Sequence, residues 1–325
     1  MPVSNYPSGF SNGVTIRGVP ITQLHPGEVF WVNNSSVPAK GAITGSDGNK
    51  GTRQQPFGTL DYAIGKCTAG RGDIIVLMPG HTETVTSATT IALDVAGVAV
   101  LGLGTGTLRP TITYTTANTA TINVTADNVA IKNIRFVANF LGVASAITTG
   151  AAANFTLEDC EFTDTSAILN FKAKVTTTVS VNADNMHILN NHIRSIATTN
   201  AVAPIVVLGT MTGLTIKGNR VVNTVAQNNV SQLLSHAALV MTDLLVQDNI
   251  VHCVNTDTAT GAVLISTTAV TGSGLVIGNR VRALDVAAAI LVTATQVTYG
   301  MFDNLYTGEI TQLSGFVLPA IGTDA

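Results

Sequence analysis

The chain has 325 residues, of which 46% are hydrophobic and only 11% are charged, and its formal net charge is -3. So few charges leave little need for a solvated helical surface, and the net charge gives no reason to expect nucleic acid or an anionic membrane as a partner. No apolar run is long enough for a membrane span, and the first residues lack the basic and apolar regions of a signal peptide.

Residues 1–44 are predicted to form an extended attachment arm. Five prolines interrupt any regular element there, yet the segment is more apolar than a solvated tail would be. The candidate assembly contacts are the apolar residues Phe10, Ile16, Ile21, Phe30 and Trp31. Two alternatives are open, because the arm either packs along its own solenoid or binds neighbouring subunits.

Residues 45–85 are predicted to begin a solenoid. Apolar residues from Leu60 to Cys67 follow the i, i+3, i+4, i+7 spacing of an amphipathic helix, and Thr59 is suited to its N-cap. The pattern predicts a short capping helix near residues 59–67, which would cover the open edge and core of the first coil. An apolar strand at 73–78 and a Pro79-Gly80 turn follow.

A repeat then runs through the rest of the chain. Each unit has a short apolar alternation, a polar pair containing Asn or Asp, and a second apolar alternation. The anchor of each unit is the apolar residue before the polar pair, and the anchors are Ile131, Leu157, Ile188, Ile216, Val246 and Ile277, with Val100 and Phe302 extending the series. Their separations from Ile131 to Ile277 are 26, 31, 28, 30 and 31 residues.

Period-2 alternation within a repeat of this length predicts strands stacked in coils about 4.8 Å apart. The predicted fold class is therefore all-β, a right-handed parallel β-helix over residues 45–309, with residues 310–325 as a C-terminal tail. Asn tolerates the left-handed backbone conformation that such a coil needs at its bends. The polar pairs predict a structural side-chain ladder of Asn133, Asp159, Asn190, Asn219, Asn249, Asn279 and Asn304.

The order of these features resembles the start of pectin-lyase-like β-helix proteins. The shared features are a Gly/Asp/Asn loop, Pro-Phe, a short helix, Gly-Asp, an apolar strand and Pro-Gly, and the resemblance covers about residues 45–305. This group includes polysaccharide lyases and phage spike and virion proteins. The resemblance implies the fold, but it does not determine an activity, because one fold carries many functions.

The acidic residues are the first candidates for catalysis. Stacking the coils places Glu161 between Arg135 and His192, which predicts an outward charge ladder rather than a pair of catalytic carboxylates. Asp127 and Asp184 lie two coils apart, roughly 9–10 Å, at the limit of the separation of an inverting glycosidase. Aromatic residues are only 5% of the chain, which argues against a long glycan groove.

Several other motifs lack the residues that a nucleotide or metal site requires. The glycine-rich segment 102–106 lacks the third glycine of a dinucleotide site, and the loop at 47–51 lacks the closing Glu of a calcium loop. No catalytic, cofactor-binding or metal-ligating residue is predicted, and no cofactor is expected. Cys67, Cys160 and Cys253 lie far apart and are expected to be free thiols in a reducing cytoplasm.

We therefore expect a non-enzymatic structural protein of a tailed-phage virion, assembled in the host cytoplasm. A capsid-attached decoration or stabilising protein is favoured, as a homotrimer in contact with other virion proteins such as the major capsid protein. The alternative is a tail-attached spike that binds or cleaves host surface glycan.

Overall fold

The computed structural model describes eleven segments of the chain: residues 15–16, 19–20, 27–35, 41–197, 203–223, 231–236, 240–253, 263–267, 272–283, 290–293 and 297–307. Within these segments, strands dominate and no helix is long and apolar enough to cross a membrane. The helical elements are α1, Leu60–Ile64, and a 3-10 turn at Gly106–Leu108.

The strands, in chain order, are β1 Thr15–Ile16, β2 Val19–Pro20, β3 Val29–Val32, β4 Ile74–Leu77, β5 Thr82–Val85, β6 Ile91–Leu93, β7 Ala99–Gly102, β8 Thr111–Tyr114, β9 Ile122–Val124, β10 Ala130–Lys132, β11 Arg135–Ala138, β12 Val143–Thr149, β13 Thr156–Glu158, β14 Glu161–Asp164, β15 Phe171–Thr177, β16 His187–Leu189, β17 His192–Ser195, β18 Ile205–Val207, β19 Met211–Thr212, β20 Thr215–Lys217, β21 Arg220–Asn223, β22 Ser231–His236, β23 Met241–Gln247, β24 Ile250–Cys253, β25 Val263–Thr267, β26 Gly272–Ile277, β27 Arg280–Ala283, β28 Ile290–Thr293, β29 Val297–Phe302 and β30 Leu305–Thr307.

Strands β3 to β30 form three parallel sheets, which confirms the predicted parallel β-solenoid, and β1 and β2 form a separate antiparallel pair. Sheet 1 runs β3, β4, β7, β10, β13, β16, β20, β23, β26 and β29, with β19 also paired to β23. Sheet 2 runs β5, β8, β11, β14, β17, β21, β24, β27 and β30, and sheet 3 runs β6, β9, β12, β15, β18, β22, β25 and β28. Each coil therefore contributes its strands in the order sheet 1, sheet 2, sheet 3.

The register of sheet 1 confirms most of the predicted anchors and corrects two. Val100, Ile131, Leu157, Ile188, Ile216 and Val246 pair in sequence on neighbouring strands. Val246 then pairs with Val276, and Val276 with Met301, so Ile277 and Phe302 are each one residue too late. Both segments are apolar at the anchor and at the next position, so alternation alone leaves the register open by one residue.

The interior is filled by the inward side chains of all three sheets. Aromatic rings stack along it: the Phe136 and Phe162 centroids lie 4.9 Å apart, and Phe171 packs edge-on against Tyr114 at 5.0 Å. The Tyr114 hydroxyl is fully buried and donates a hydrogen bond to the carbonyl of Ala146 at 2.6 Å. Burial of this hydroxyl is therefore compensated, as a close-packed core requires.

The predicted helix is present and packs on the first coil. It is shorter than residues 59–67, because the chain leaves the helix at Gly65. Thr59 is the N-cap, and the carboxylate of Glu83 accepts a hydrogen bond from the Leu60 amide at 3.0 Å. Leu60 and Ala63 are buried, and the helix contacts β3, β4 and β6.

Strand β3 belongs to the solenoid. It pairs in parallel with β4, and its other edge is bonded to a loop, since the Trp31 amide donates to the Gly51 carbonyl. Phe30 packs against the core with its ring centroid 5.9 Å from that of Phe57. These two predicted arm residues therefore contribute to the solenoid's own sheet. Of the other three, Ile16 lies in β1, and Phe10 and Ile21 lie outside the described residues.

The corner between sheets 1 and 2 contains two adjacent columns of turn residues. The first column has φ between 52° and 67° and consists of Asn133, Asp159, Asn190, Gly218, Asp248, Gly278 and Asp303. These residue types are the ones that adopt a positive φ at least cost. The second column, one residue later, is a ladder of amides: Asn191, Asn219, Asn249, Asn279 and Asn304.

The ladder predicted from the sequence merges these two columns. Asn133, Asp159 and Asn190 belong to the positive-φ column, whereas Asn219, Asn249, Asn279 and Asn304 belong to the amide ladder. In the ladder, each Nδ2 donates to the Oδ1 of the next rung at 2.9–3.0 Å. The first and second columns therefore do different work: one bends the chain, and the other satisfies the buried backbone at the bend.

Candidate functional site: a charged groove at the corner of sheets 1 and 2

A groove of about 550 Å³ runs along the outside of this corner. It crosses the coils from β7 to β17 and is lined mainly by charged and amide side chains: Arg109, Lys132, Asn133, Asp159, Glu161, Asn190 and His192. One wall comes from the end of sheet 1 and the other from the start of sheet 2. Each coil turns this corner at a single residue with a positive φ. The two walls therefore lie close to the groove floor.

The sheet 1 wall is organised around Lys132. Its Nζ lies 3.0 Å from an oxygen of Glu158 and 3.3 Å from an oxygen of Asp159, both on the next coil. The hydrogen bonds to Glu158 and then Asp159 raise the pKa of the lysine above its usual value. The ammonium group is therefore a fixed positive charge in the groove at any physiological pH.

The sheet 2 wall is organised around Glu161. Its Oε2 lies 2.9 Å from Nε of Arg135 and 3.5 Å from Nη1 of Arg109. Arg135 also donates to the Gly106 carbonyl at 3.0 Å, which ties the strand to the 3-10 turn. Two guanidinium groups on one carboxylate hold its orientation and leave the wall with an excess of positive charge.

His192 continues this wall on the next coil, opposite Glu161 in the register of β14 and β17. Partial burial lowers the pKa of its imidazole, Arg220, Arg109 and Arg194 lower it further, and Glu161 opposes them. The imidazole is consequently neutral at pH 7 and is able to accept a proton or a hydrogen bond from a molecule in the groove.

The groove floor is formed by close backbone packing. Nδ2 of Asn133 donates to the carbonyls of Gly102 and Gly104 at 2.8 and 3.0 Å. A Cβ on Gly102 would lie only 2.2 Å from the Asn133 carbonyl oxygen, so glycine is required there for the coils to stack. Beneath the next coil, burial raises the pKa of the Cys160 thiol to about 12, which leaves it protonated and unreactive.

The structure separates the acidic residues that the sequence places close together. Asp159 and Glu161 line the groove and Glu158 contacts Lys132 in its wall, but Asp164 is buried at the end of β14. One of its oxygens accepts from Ser195 Oγ at 2.8 Å, and the other lies 4.0 Å from Nζ of buried Lys174. Burial lowers the pKa of that lysine, and Asp164 opposes the shift.

The register places Arg135, Glu161 and His192 side by side, as predicted. Asp127 and Asp184 lie at a different corner, where each accepts a hydrogen bond from a backbone amide of the next coil at 2.8 Å. Arg109 and Lys132 were not among the residues predicted from the sequence. Arg109 reaches the wall only because the 3-10 turn at Gly106–Leu108 places it there. Lys132 directly follows the anchor Ile131, so its position could have been predicted from the repeat.

Across the described segments, no group of three or more His, Cys, Asp or Glu side chains is arranged to hold a metal ion. The groove offers instead fixed cations, carboxylates that accept hydrogen bonds, and a neutral imidazole. This set is suited to hydrogen-bonding a polar molecule with several hydroxyl or acidic groups.

Comparisons with known proteins find similarity to solved structures alone. No family model and no curated protein match the chain. A solved structure of a rhamnogalacturonan lyase is similar with a TM-score of 0.43 and 12% identity, and the match covers 86% of this chain and 74% of the lyase. The Streptococcus pneumoniae surface protein and adhesin PfbA is similar with a TM-score of 0.27 and 13% identity over 74% of this chain and 86% of the adhesin.

The comparison corrects one expectation. A protein that is not an enzyme is expected from the sequence, but a lyase is among the solved structures that are similar to this chain. The prediction of a non-enzymatic protein is therefore withdrawn.

Proposed function

We propose that this chain is a structural protein of a tailed-phage virion, attached to the capsid through the segment that precedes the solenoid. The observation that carries the proposal is the closure of the first coil. Strand β3, the loop bonded to its edge and helix α1 complete the packing there from Gly27 onward. In this proposal, apolar residues before Gly27, Phe10 and Ile21 among them, contact another virion protein.

The rest of the solenoid supports a mechanical role. The amide ladder runs from Asn191 to Asn304, and a ladder of this kind makes the coil corner stiff because every rung is fixed by its neighbours. A stiff rod fixed at one end is suited to a permanent component of a particle.

A deletion of residues 1–26 tests the attachment, because it removes the upstream segment and keeps β3. The phage that encodes the chain is grown with either the full-length or the shortened protein, and purified particles are analysed by quantitative mass spectrometry. We expect the shortened protein to fold and to be absent from particles. Full occupancy of the shortened protein would mean that the attachment surface lies on the solenoid.

The groove favours a second candidate function, the binding of a surface glycan. Fixed arginine and lysine groups with paired carboxylates are able to hydrogen-bond sugar hydroxyl and acidic groups bidentately. The lining side chains include no Phe, Tyr or Trp, so recognition would depend mainly on polar contacts instead of stacking. This candidate is compatible with the virion role, since a rod on a particle surface meets the host envelope.

A panel of bacterial surface glycans tests this second candidate. Wild-type protein is compared with Lys132→Ala, and with Lys50→Ala as the matched control, because Lys50 is an exposed lysine that does not line the groove. We expect binding that Lys132→Ala weakens and Lys50→Ala leaves unchanged. The same samples are assayed for new reducing ends, which would reveal cleavage. No binding to any glycan, or equal binding by both variants, would eliminate the groove as a glycan site.

A further inference from the structure

Two arginines without an acidic partner lie beside the groove, on the outer face of sheet 2. Arg194 is on β17 and Arg220 is on the neighbouring strand β21, and both side chains are exposed. No ion pair joins either of them to a residue that the structure describes, including the exposed Asp248 at the corner of the next coil. Strands β17 and β21 contain no Asp or Glu. The two guanidinium groups are therefore a concentration of positive charge that is open to solvent.

The register of the two strands places both arginines next to His192. His192 pairs directly with Arg220 across β17 and β21, and Arg194 is two residues after His192 on the same face of β17. Neighbouring strands are about 4.8 Å apart and alternate residues of one strand roughly 6.6 Å apart, so the Cα atoms of Arg194 and Arg220 are about 8 Å apart. Arginine side chains are long enough for both guanidinium groups to contact one small ligand beside the imidazole.

His192 is surrounded mainly by positive charge. The charged groups that act on it are Glu161 on the previous coil, Arg220 on the next coil, Arg109 from the groove wall and Arg194 on its own strand. Partial burial lowers the pKa of the imidazole, the three arginines lower it further, and Glu161 opposes them. The Glu161 carboxylate is itself bound to two arginines of the groove wall. The surroundings of His192 therefore keep an excess of positive charge, which an anion would neutralise.

A phosphate group fits these side chains better than a carboxylate does. One guanidinium group donates two parallel hydrogen bonds to a carboxylate and so occupies both of its oxygens. A phosphate monoester has three terminal oxygens and a charge of about −1.5 to −2 at pH 7. Two guanidinium groups and one protonated imidazole supply donors for all of these oxygens, and their positive charge matches the charge of the phosphate.

We propose that Arg194, Arg220 and His192 form a binding site for a phosphate monoester, such as the phosphate of a phosphorylated sugar. This inference is independent of capsid attachment and of glycan binding at Lys132, because the site uses neither that lysine nor the segment before Gly27. Binding is accompanied by protonation of His192, since an adjacent anion favours the charged form of the imidazole.

Isothermal titration calorimetry of the full-length protein at pH 7 and low salt tests the site. The probes are glucose 6-phosphate and inorganic phosphate, with glucuronate and glucose as the carboxylate and neutral counterparts. We expect glucose 6-phosphate to bind, glucuronate to bind about tenfold more weakly or less, and glucose not to bind. Equal affinity for inorganic phosphate would assign recognition to the phosphate alone, and tighter binding of glucose 6-phosphate would add a contribution from the sugar.

Arginine variants test which side chains hold the phosphate. Arg194→Ala and Arg220→Ala should each weaken glucose 6-phosphate binding about tenfold or more, because each removes a charged hydrogen-bond donor. Arg53→Ala is the matched control, because Arg53 is an exposed arginine outside β17 and β21, and it should bind like wild type. Circular dichroism of each variant confirms that the solenoid is folded.

The imidazole of His192 provides a second readout. Saturating glucose 6-phosphate should raise its pKa, measured by NMR, in the wild type and not in the double variant Arg194→Ala/Arg220→Ala. Absence of binding to both phosphate probes, or binding of glucuronate as tight as that of glucose 6-phosphate, would overturn the proposal. Equal binding by the wild type and either arginine variant, or an unchanged pKa of His192 in the wild-type complex, would overturn it equally.

Discussion

Asn219 and Asn249 lie one coil apart and are joined by two hydrogen bonds. Oδ1 of Asn249 accepts from the backbone amide of Asn219 at 2.9 Å and from its Nδ2 at 3.0 Å. Nδ2 of Asn249 meanwhile donates to the carbonyl of Ile216 and to Oδ1 of Asn279, both at 2.9 Å. Each rung thus satisfies a buried backbone amide of one coil and a buried carbonyl of another, which only an amide side chain can do at this position.

Replacement of a rung should destabilise the solenoid. Asn249→Ala removes the acceptor of the buried Asn219 amide and the donor to the Ile216 carbonyl, so we expect a loss of about 1–3 kcal/mol in the free energy of unfolding. Asn190→Gly is the control, because Asn190 bends the chain with a φ of 55° and glycine adopts that conformation freely. Denaturant unfolding should show a lower midpoint for Asn249→Ala alone. Equal midpoints for the two variants would contradict the division into two columns.

The ladder should be extendable by one rung at Cys160. This residue occupies the same column, and its backbone amide already donates to Oδ1 of Asn191 at 2.9 Å. Its thiol lies 3.9 Å from the Ile131 carbonyl, the position to which an amide Nδ2 would donate. Cys160→Asn should therefore keep or raise the midpoint of unfolding, whereas Cys160→Val, which removes the polar group, should lower it. The reverse order of the two midpoints would show that the column does not continue here.

The two cysteine thiols described by the structure should resist modification in the folded protein. Burial raises the pKa of both Cys67 and Cys160 to about 12, with Asp73 adding to the shift at Cys67. The thiolate, which is the reactive form, is therefore scarce at pH 8. Mass spectrometry after brief treatment with N-ethylmaleimide should find both unlabelled in native protein and labelled in denaturant. Rapid native labelling of Cys160, or a disulfide at either residue, would contradict this account.

Stability should fall as the solution becomes acidic, in part because of His236. Burial lowers the pKa of this imidazole, although a hydrogen bond to the Gly209 carbonyl opposes the shift. The unfolded chain then binds a proton at about pH 6.5, while the folded chain does so only at lower pH, so the free energy of unfolding falls as pH drops below about 6.5. His236→Gln should reduce this slope between pH 7 and pH 5. An unchanged slope would assign the effect to other groups such as His192.

The fold was predictable because the sequence repeat is strong. The arrangement of the corner residues was not predictable, since the residue pattern there is ambiguous. Alternation around Ile131, Leu157 and Ile188 determines strand positions directly. At the corner, Asn is suited both to a positive φ and to an amide ladder, so Asn190 and Asn191 cannot be told apart by residue type. The two columns are told apart in the coils where Gly218 and Gly278 stand next to a ladder asparagine, because glycine is suited to a positive φ but has no amide side chain.

The site was predictable only where it follows the repeat. Stacking alone brings Glu161 beside Arg135 and His192. Arg109 enters the groove from a loop whose path depends on a 3-10 turn and on the glycine at 102, neither of which has a periodic signal. The place of Trp31 in the first coil was missed for a related reason, since prolines and glycines around it conceal a four-residue strand.

The central claim is that this chain is a capsid-attached virion protein. It is tested most directly by a cryo-electron microscopy reconstruction of the phage particle whose genome encodes the chain. The account predicts three-sided solenoid density at symmetry-related positions on the shell, with the β3 end of each solenoid towards the capsid. Absence of the protein from purified particles, or density on the tail alone, would contradict it.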